Sequence, residues 1–304
     1  IARRLALDGR EVVVIDPADP GSGASFGNAG TVADYAVQPV GTPDVLRNLP
    51  SLLFDRDSPL AIRRAAILSL APWLVRFMRQ SLPGAARRNA LAIAALAADA
   101  SARWRDLAGE IGAGGVLQDR GCLYAYETLA GRRAAEADLA FRRSLGVRVE
   151  FLTEAEFGQL EPGLGGMAGG AAFFPNARFM SDPGQMVGAL AGAAWALGAR
   201  HLRARVERIE RTAGGIRITG PGLALVARRV VIAAGAHSRG LARQAGDRVP
   251  LETERGYHLE YDMETSRLTR PVCPTSRGFY FCPMAGRLRV AGTVELGGLT
   301  APPS

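Results

Sequence analysis

The sequence has 304 residues, enough for one large or two moderate domains, and 48% of them are apolar. Its net charge is +8, and all 37 basic residues are arginines scattered among acidic residues, which argues against nucleic-acid binding. No uncharged run reaches the roughly 18 residues that a membrane-spanning helix needs, so none is expected.

The three cysteines match neither a metal site nor a disulfide framework. Cys122, Cys273 and Cys282 are odd in number and lack the spacing of a zinc ligand set. We therefore expect buried free thiols, a reducing compartment and no bound metal.

The chain begins with the pattern of a helix followed by a strand. Residues 1–7 have apolar residues four apart, and Asp8 with Gly9 is a typical helix end. Residues 12–15 are all β-branched and apolar, which is typical of a strand buried on both faces of a parallel sheet. Asp16 follows at the carboxyl end of this strand, where open α/β sheets bind ligands and an acid can accept hydrogen bonds from an adenosine ribose.

These elements form the second half of a dinucleotide-binding unit. The first half, a strand and a G-x-G-x-x-G turn, would precede residue 1. Because the sequence begins with Ile rather than Met, we expect it to be a piece of a longer protein. The loop after Asp16 is rich in Gly, Ser and Asn, so its backbone amides can approach a phosphate or a flat ring closely.

The middle of the chain is predicted to be mainly helical. Beyond residue 30 the pattern is irregular to about residue 60, and helical periodicity then covers residues 59–80, 89–110 and 129–145. The first of these helices is basic and amphipathic, so it either packs on its own domain or lies on a membrane surface. Short strands and one capping box are predicted between and after the helices, at 115–127, 147–152, 153–156 (the capping box) and 171–174.

From residue 181 an α/β pattern returns. Pro183 begins a helix that runs to Gly198, and a later strand runs into the turn at Gly235, again a strand end where a cofactor could lie. Two further segments alternate like antiparallel strands. The predicted strands in this part are 201–209, 216–219, 230–234, 251–262 and 279–294.

Five motifs occur in order along the chain, at residues 12–30, 205–209, 230–238, 255–259 and 289–295. Together they resemble the FAD-dependent amino-acid oxidoreductase family, specifically its bacterial D-amino-acid dehydrogenase branch, over essentially the whole chain. The resemblance implies an α/β fold, α+β overall, in which a Rossmann-like FAD-binding domain holds an inserted substrate domain built on an antiparallel sheet. The FAD-binding domain would comprise residues 1–60 and 181–245, and the substrate domain residues 61–180 and 246–304.

The resemblance also implies where FAD would lie. Asp16 would hold the adenosine ribose, and Val206 would meet the adenine through its backbone. Ala234 and Gly235 would pass close to the cofactor. The pyrophosphate and one edge of the flavin would be lined by Ser25, Asn28, Ala29 and Gly30.

The substrate side is expected on the second sheet. An amino acid needs its carboxylate anchored, which suits an Arg fork or a Tyr hydroxyl. Its Cα hydrogen leaves as a hydride to the flavin, so the protein mainly positions and desolvates the substrate, and no catalytic side chain is predicted. The substrate-binding predictions are Tyr257, His258, Tyr280 and Arg255, and the alternative for each is a strand residue with its polar end at the surface.

The implied activity is oxidative deamination of D-amino acids to 2-oxo acids and ammonia. The residues leave three alternatives open: a flavoenzyme that oxidises a secondary amine or a glycine-like substrate (sarcosine, glycine, hydroxyproline), a non-catalytic homologue, and an NAD-dependent dehydrogenase. The loop at 24–30 and the second sheet favour FAD over NAD. The implied electron acceptor is a quinone, and the implied location is cytoplasmic with a peripheral contact at the inner face of the membrane.

The family pattern continues beyond residue 304. A further segment would return to the FAD-binding domain with a glycine-containing flavin contact and a substrate-carboxylate Arg. Without that segment and the phosphate-binding turn, we expect residues 1–304 alone to be inactive or unstable.

Overall fold

The computed structural model describes residues 1–48, 58 and 60–303, and within them the chain is a mixed α/β protein, as predicted. The ends of the helices follow the local signals. Thr153 and Glu156 form the predicted capping box, and Asp182 caps the helix that begins at Pro183. The α-helices of the described residues are α1 (Ala2–Leu7), α2 (Pro43–Arg47), α3 (Ile67–Gln80), α4 (Pro83–Ala97), α5 (Ala100–Glu110), α6 (Leu129–Ser144), α7 (Glu154–Leu160), α8 (Pro183–Ala196) and α9 (Ser238–Gln244).

The strands are short in the first half of the chain and longer in the last third. Those found in the described residues are β1 (Val13–Ile15), β2 (Thr31–Val32), β3 (Leu60–Ile62), β4 (Leu117–Gln118), β5 (Cys122–Ala125), β6 (Glu150–Leu152), β7 (Ala171–Phe174), β8 (Arg178–Met180), β9 (Arg200–Leu202), β10 (Arg208–Thr212), β11 (Gly215–Gly220), β12 (Leu223–Ala227), β13 (Arg255–Asp262), β14 (Val272–Pro274), β15 (Tyr280–Met284) and β16 (Arg287–Leu296).

Three sheets position the candidate site. The largest has the order β13-β16-β15-β14-β5-β7-β6, with β3 also paired to β16, and it is mainly antiparallel. Strands β1 and β9 form a parallel pair, and α1 packs against α8 beside them. Strands β10, β11 and β12 form an antiparallel sheet of their own.

The large sheet separates two apolar clusters. Leu123, Phe157 and Val272 lie on one face, which α7 covers. Cys122, Phe174 and Leu139 lie on the other face, which α6 covers. This arrangement follows from strand geometry, because successive residues of β5 point to opposite faces. All three cysteines are buried and free, as predicted.

Two predicted helices have different bounds. Residues 60–62 form β3, and the helix begins only at Ile67, because pairing with β16 overrides the local helical pattern. Residues 49–57 and 59, the end of the predicted irregular stretch and the start of this helix, lie outside the described residues. The predicted helix at 89–110 is two helices, α4 and α5, with a break at Ala98 and Asp99.

The predicted strand at 230–234 is wrong, since none of the described strands pairs with these residues and a strand needs a hydrogen-bonded neighbour. The first strand, although it pairs with β9, is not buried on both faces as predicted, and Val13 is 37% exposed. Residues 203–207 leave the sheet, so the predicted strand at 201–209 becomes β9 and β10. The predicted strand at 279–294 is a hairpin of β15 and β16, which turns at Gly286 with φ +71°.

Candidate functional site

Asp16 lies directly after β1, at the edge of the sheet where the sequence places it. Its backbone N–H donates to the carbonyl oxygen of Leu202 at 3.2 Å, which extends the parallel pairing by one residue. Its Oδ1 accepts a hydrogen bond from the N–H of Ala18 at 2.9 Å, and no described residue donates to Oδ2. The exposed carboxylate therefore keeps one oxygen for a hydroxyl donor such as a ribose.

The segments that carry the other adenosine-side predictions converge on Asp16. Ile15, Val206 and Ile232 pack around one apolar cluster that is centred on Ile209 and Ile218. Ala234 follows Ile232 by two residues, and Gly235 then begins a short 3-10 turn with φ +52°. Tertiary packing thus brings together three segments that are far apart in sequence.

The loop at residues 25–30 is a tight turn held by its own polar groups. Asn28 Oδ1 accepts from the N–H of Gly30 at 2.8 Å, and the carbonyl oxygen of Gly30 accepts from the N–H of Met180 at 2.8 Å. Gly30 has φ +75°, and a Cβ atom there would lie 2.6 Å from the Met180 carbonyl oxygen. Only glycine fits this position without strain. Ser25 closes the turn by accepting from the N–H of Asn28 at 3.3 Å.

One face of the large sheet lies against this loop. A Cβ atom at Gly27 would lie 2.8 Å from His258 Cε1, so the imidazole of β13 packs closely on the loop backbone. Arg289 of β16 donates from Nη1 to the carbonyl oxygen of Asn28. Because directly opposite residues of paired strands share a face, His258, Ala291 and Tyr280 form one row on this side of the sheet.

Tyr280 joins a group of aromatic side chains on the same face. Its hydroxyl donates to the hydroxyl of Tyr124 at 3.1 Å, and the Tyr124 ring packs edge-to-face on Tyr35 and Phe174. Burial raises the pKa of Tyr124 to about 12 and raises that of Tyr280 further. Arg142, whose Cζ lies 5.7 Å from the centre of the Tyr124 ring, partly offsets the effect of burial on Tyr124. Both hydroxyls therefore remain protonated donors at neutral pH.

Arg255 and Tyr257 have other partners. Arg255 Nη1 lies 3.3 Å from Glu295 Oε1, and its Nη2 donates to the carbonyl oxygen of Ala301 at 2.7 Å. Arg63 Nε lies 2.9 Å from the same glutamate oxygen, and Tyr257 forms a side-chain hydrogen bond with Arg63. Glu295 is only 3% exposed, so these arginines balance a buried carboxylate. The structure thus places His258 against the loop and Tyr280 on the same face of the sheet, whereas Arg255 and Tyr257 lie in a different cluster.

Several residues at this site are not predicted from the sequence. Tyr35 lies in the stretch predicted to be irregular, and Tyr124 and Arg142 belong to elements predicted only as secondary structure. No local pattern connects these residues to Tyr280. Arg289 carries a signal that could have been used, because a charged residue inside an otherwise apolar strand is unusual unless it is paired.

The arrangement fits FAD. Asp16 offers a free acceptor for a ribose, the turn at 25–30 offers a close approach to the backbone, and the sheet face that meets the turn carries the hydroxyls of Tyr280 and Tyr124. The residues predicted from the sequence to hold the cofactor stay a prediction: Asp16, Ser25, Asn28, Ala29, Gly30, Val206, Ala234 and Gly235.

Comparisons with known proteins also indicate a FAD-dependent protein. A family model described as DAO, FAD dependent oxidoreductase, matches residues 1–304. The chain is 32% identical over 310 residues to a D-amino-acid oxidase of Bradyrhizobium diazoefficiens, covering 98% of this chain and 71% of that protein. It is 29% identical to a D-amino acid dehydrogenase of Dechloromonas aromatica, covering 97% and 73%. It shares its fold with a crystal structure of glycine oxidase from Geobacillus kaustophilus, with a TM-score of 0.70, 22% identity, and coverage of 100% of this chain and 70% of that one.

Proposed function

Because this chain belongs to the DAO family of FAD-dependent oxidoreductases, we propose that it oxidises D-amino acids to 2-oxo acids and ammonia. The names of the two relatives, which match almost the whole chain, support this substrate class. The observation that carries the proposal is the sheet face with Tyr280 and His258, which lies against the predicted cofactor loop. This face presents hydroxyl donors in an apolar surrounding beside the place where a flavin edge would lie.

In the proposed reaction the protein binds, orients and desolvates the substrate. FAD, when bound, supplies a two-electron acceptor for the hydride that leaves the substrate Cα. The Tyr280 hydroxyl, which burial keeps protonated, turns its hydrogen bond from Tyr124 to a carboxylate oxygen of the amino acid when the substrate binds. Tyr35, Tyr124 and Phe174 exclude water from the same side, which disfavours the charged form of the substrate amine. The resulting imino acid is hydrolysed by water to the 2-oxo acid and ammonia.

The test is an absorbance spectrum of the full-length protein with amino-acid enantiomers added without oxygen. We expect flavin bands that bleach with D-amino acids and not with L-amino acids. Bleaching only with sarcosine, glycine or hydroxyproline would replace the proposed substrate class by the secondary-amine alternative. Flavin bands that no amine bleaches would favour the non-catalytic homologue.

We further propose that the electrons pass to a quinone and that the protein contacts an anionic membrane surface. Leu68 in the first turn of α3 is 89% exposed, and Leu96 in the last turn of α4 is 84% exposed. Arg76 and Arg79 on α3 are exposed too, so this helix carries both apolar and cationic groups at the surface. Among the described residues, no helix combines the length and apolar character needed to cross a bilayer.

A further inference from the structure

Arg289 lies on β16, the strand next to the edge strand β13 of the large sheet, and its side chain reaches the loop after Asp16. It lies on β16 between Glu260 of β13 and Cys282 of β15, and its side chain is 0% exposed. Its Nη1 donates to the carbonyl oxygen of Asn28, which is 261 residues away in sequence. A buried guanidinium is costly unless its charge is balanced and its N–H groups are bonded, so this position calls for a specific set of partners.

Glu260 supplies the balancing charge. Its Oε1 accepts from Arg289 Nε at 2.8 Å and from Nη2 at 2.5 Å, and Arg287 Nε lies 3.0 Å from the same oxygen. Burial raises the pKa of Glu260, but the hydrogen bonds from Arg289 and Arg287 lower it by more, so the carboxylate stays charged at neutral pH. Nε and Nη2, which form one edge of the Arg289 guanidinium, are thus bonded within the sheet, and Nη1 is directed to the loop.

The bond to Asn28 determines which way one peptide group points. In a trans peptide the C=O and the following N–H point in opposite directions. Because Arg289 holds the Asn28 carbonyl, the N–H of Ala29 points away from the sheet side. No described residue accepts a hydrogen bond from the Ala29 N–H, whereas the neighbouring Gly30 N–H is bonded to Asn28 Oδ1. A free amide in such a turn is a donor suited to a phosphate or to an acceptor atom of a flavin.

We propose that Arg289 is a positioning residue for the cofactor: it orients the Asn28–Ala29 peptide so that the Ala29 N–H faces FAD. The inference rests on the proposed cofactor site and adds a residue from the opposite sheet to it. Arg289 itself touches neither the substrate nor the reacting atoms in this proposal. It couples the substrate-side sheet to the cofactor loop.

The first test compares two arginines that share Glu260. Arg289→Lys removes the fork that reaches both Glu260 and Asn28, while Arg287→Lys weakens the contact with Glu260 and leaves the loop untouched. In the full-length protein stripped of FAD, we expect the dissociation constant for FAD to rise at least about tenfold for Arg289→Lys and less than about threefold for Arg287→Lys. The melting temperatures of the two FAD-free variants should fall by similar amounts relative to the unaltered protein. Equal FAD affinities for the two variants would overturn the proposal.

A second test uses the unaltered protein and so does not depend on the variant folding. Residue-resolved hydrogen exchange should show the Gly30 amide protected before FAD is added and the Ala29 amide protected only afterwards. FAD binding that leaves the Ala29 amide unprotected would overturn this inference alone. A full-length protein that fails to bind FAD would overturn the proposed function and the inference with it.

Discussion

Gly30 shows how a single residue shapes the proposed cofactor loop. Its positive φ and the close approach of the Met180 carbonyl leave no room for a side chain. Gly23 lies just before this loop, and a Cβ atom added there would meet nothing within 4 Å. The backbone conformation therefore requires glycine at position 30, whereas Gly23 is only a small residue in open space.

We expect Gly30→Ala to destabilise the protein by about 1–3 kcal/mol, because the alanine must occupy a strained backbone region. Its affinity for FAD should fall about tenfold or more, since the turn must open to relieve the contact. The measurement is a titration of the FAD-free full-length protein with FAD, followed by thermal unfolding. Gly23→Ala is the matched control, and an equal loss of affinity in both variants would contradict the assigned role of Gly30.

Tyr280 and Tyr257 provide a second comparison at the scale of residues. The Tyr280 hydroxyl lies on the face that meets the loop, whereas the Tyr257 hydroxyl is bonded to Arg63 in the other cluster. We expect Tyr280→Phe to lower kcat/KM for D-amino acids about ten- to hundredfold, the loss expected for a hydrogen bond to a carboxylate. Tyr257→Phe should change it less than about threefold. If only Tyr257→Phe lowers kcat/KM, the substrate pocket lies on the opposite side of the sheet.

At the scale of elements, strand β16 connects the two parts of the candidate site. It pairs with β13 and β15 along its first half and with β13 and β3 along its second half, and the pairing with β13 is irregular at Gly292. A Cβ atom at Gly292 would lie 2.5 Å from Phe279 Cα, so glycine permits the close approach of the neighbouring backbone. The irregularity separates the Arg289 side of the strand from the Glu295 side.

The cross-strand group around Glu260 should make stability depend on pH. The pKa of Glu260 is lower in the folded protein than its ordinary value of 4.5. Its contribution is therefore fully present above about pH 5 and is lost as the pH falls through the lower folded pKa. We expect Glu260→Gln to lose less stability than the unaltered protein between pH 6 and about pH 3. The measurement is urea unfolding at several pH values.

Glu264→Gln, a change at an exposed residue two positions beyond the end of β13, is the control for this measurement. It should leave the pH dependence of the unfolding free energy as it is in the unaltered protein. Parallel curves for the unaltered protein and Glu260→Gln would show that the Arg287–Glu260–Arg289 group does not contribute to acid sensitivity.

At the scale of the whole molecule, the positive charge and the exposed leucines of α3 and α4 bear on the proposed binding to a membrane surface. Arginine side chains over an anionic surface contribute about 1 kcal/mol each near the membrane, and buried leucines add to this. A peripheral contact of this kind would bring the reduced protein close to a membrane quinone.

We expect the full-length protein to float with vesicles that contain anionic lipid and to remain unbound with neutral vesicles. Leu68→Glu combined with Leu96→Glu should abolish flotation, because both side chains are nearly fully exposed on the proposed surface. Leu259→Glu, at a 63% exposed position on β13, is the matched control and should still float. Flotation that survives the double change would place the membrane contact elsewhere.

The amino-acid sequence by itself determined the features that depend on neighbouring residues. The capping box of Thr153 and Glu156, the helix start at Pro183 and the strand that ends at Asp16 follow from local backbone and side-chain preferences. The ordered motifs identified the family and its cofactor because each reflects a short segment of backbone. No long-range contact had to be known for these predictions.

Only the tertiary structure decided which of these segments meet. Arg289 and Asn28 are separated by 261 residues, and Tyr280 and Tyr124 by 156, so no local pattern could connect them. The pairing of residues 60–62 with β16 replaced a predicted helix by a strand, because a neighbouring strand supplied hydrogen bonds that the local pattern could not anticipate. From the sequence, Arg255 was a candidate to bind a substrate carboxylate. In the folded protein the buried carboxylate of Glu295 lies beside it. The face of a strand and the partner of a charge depend on what packs against them, and that is a property of the folded chain.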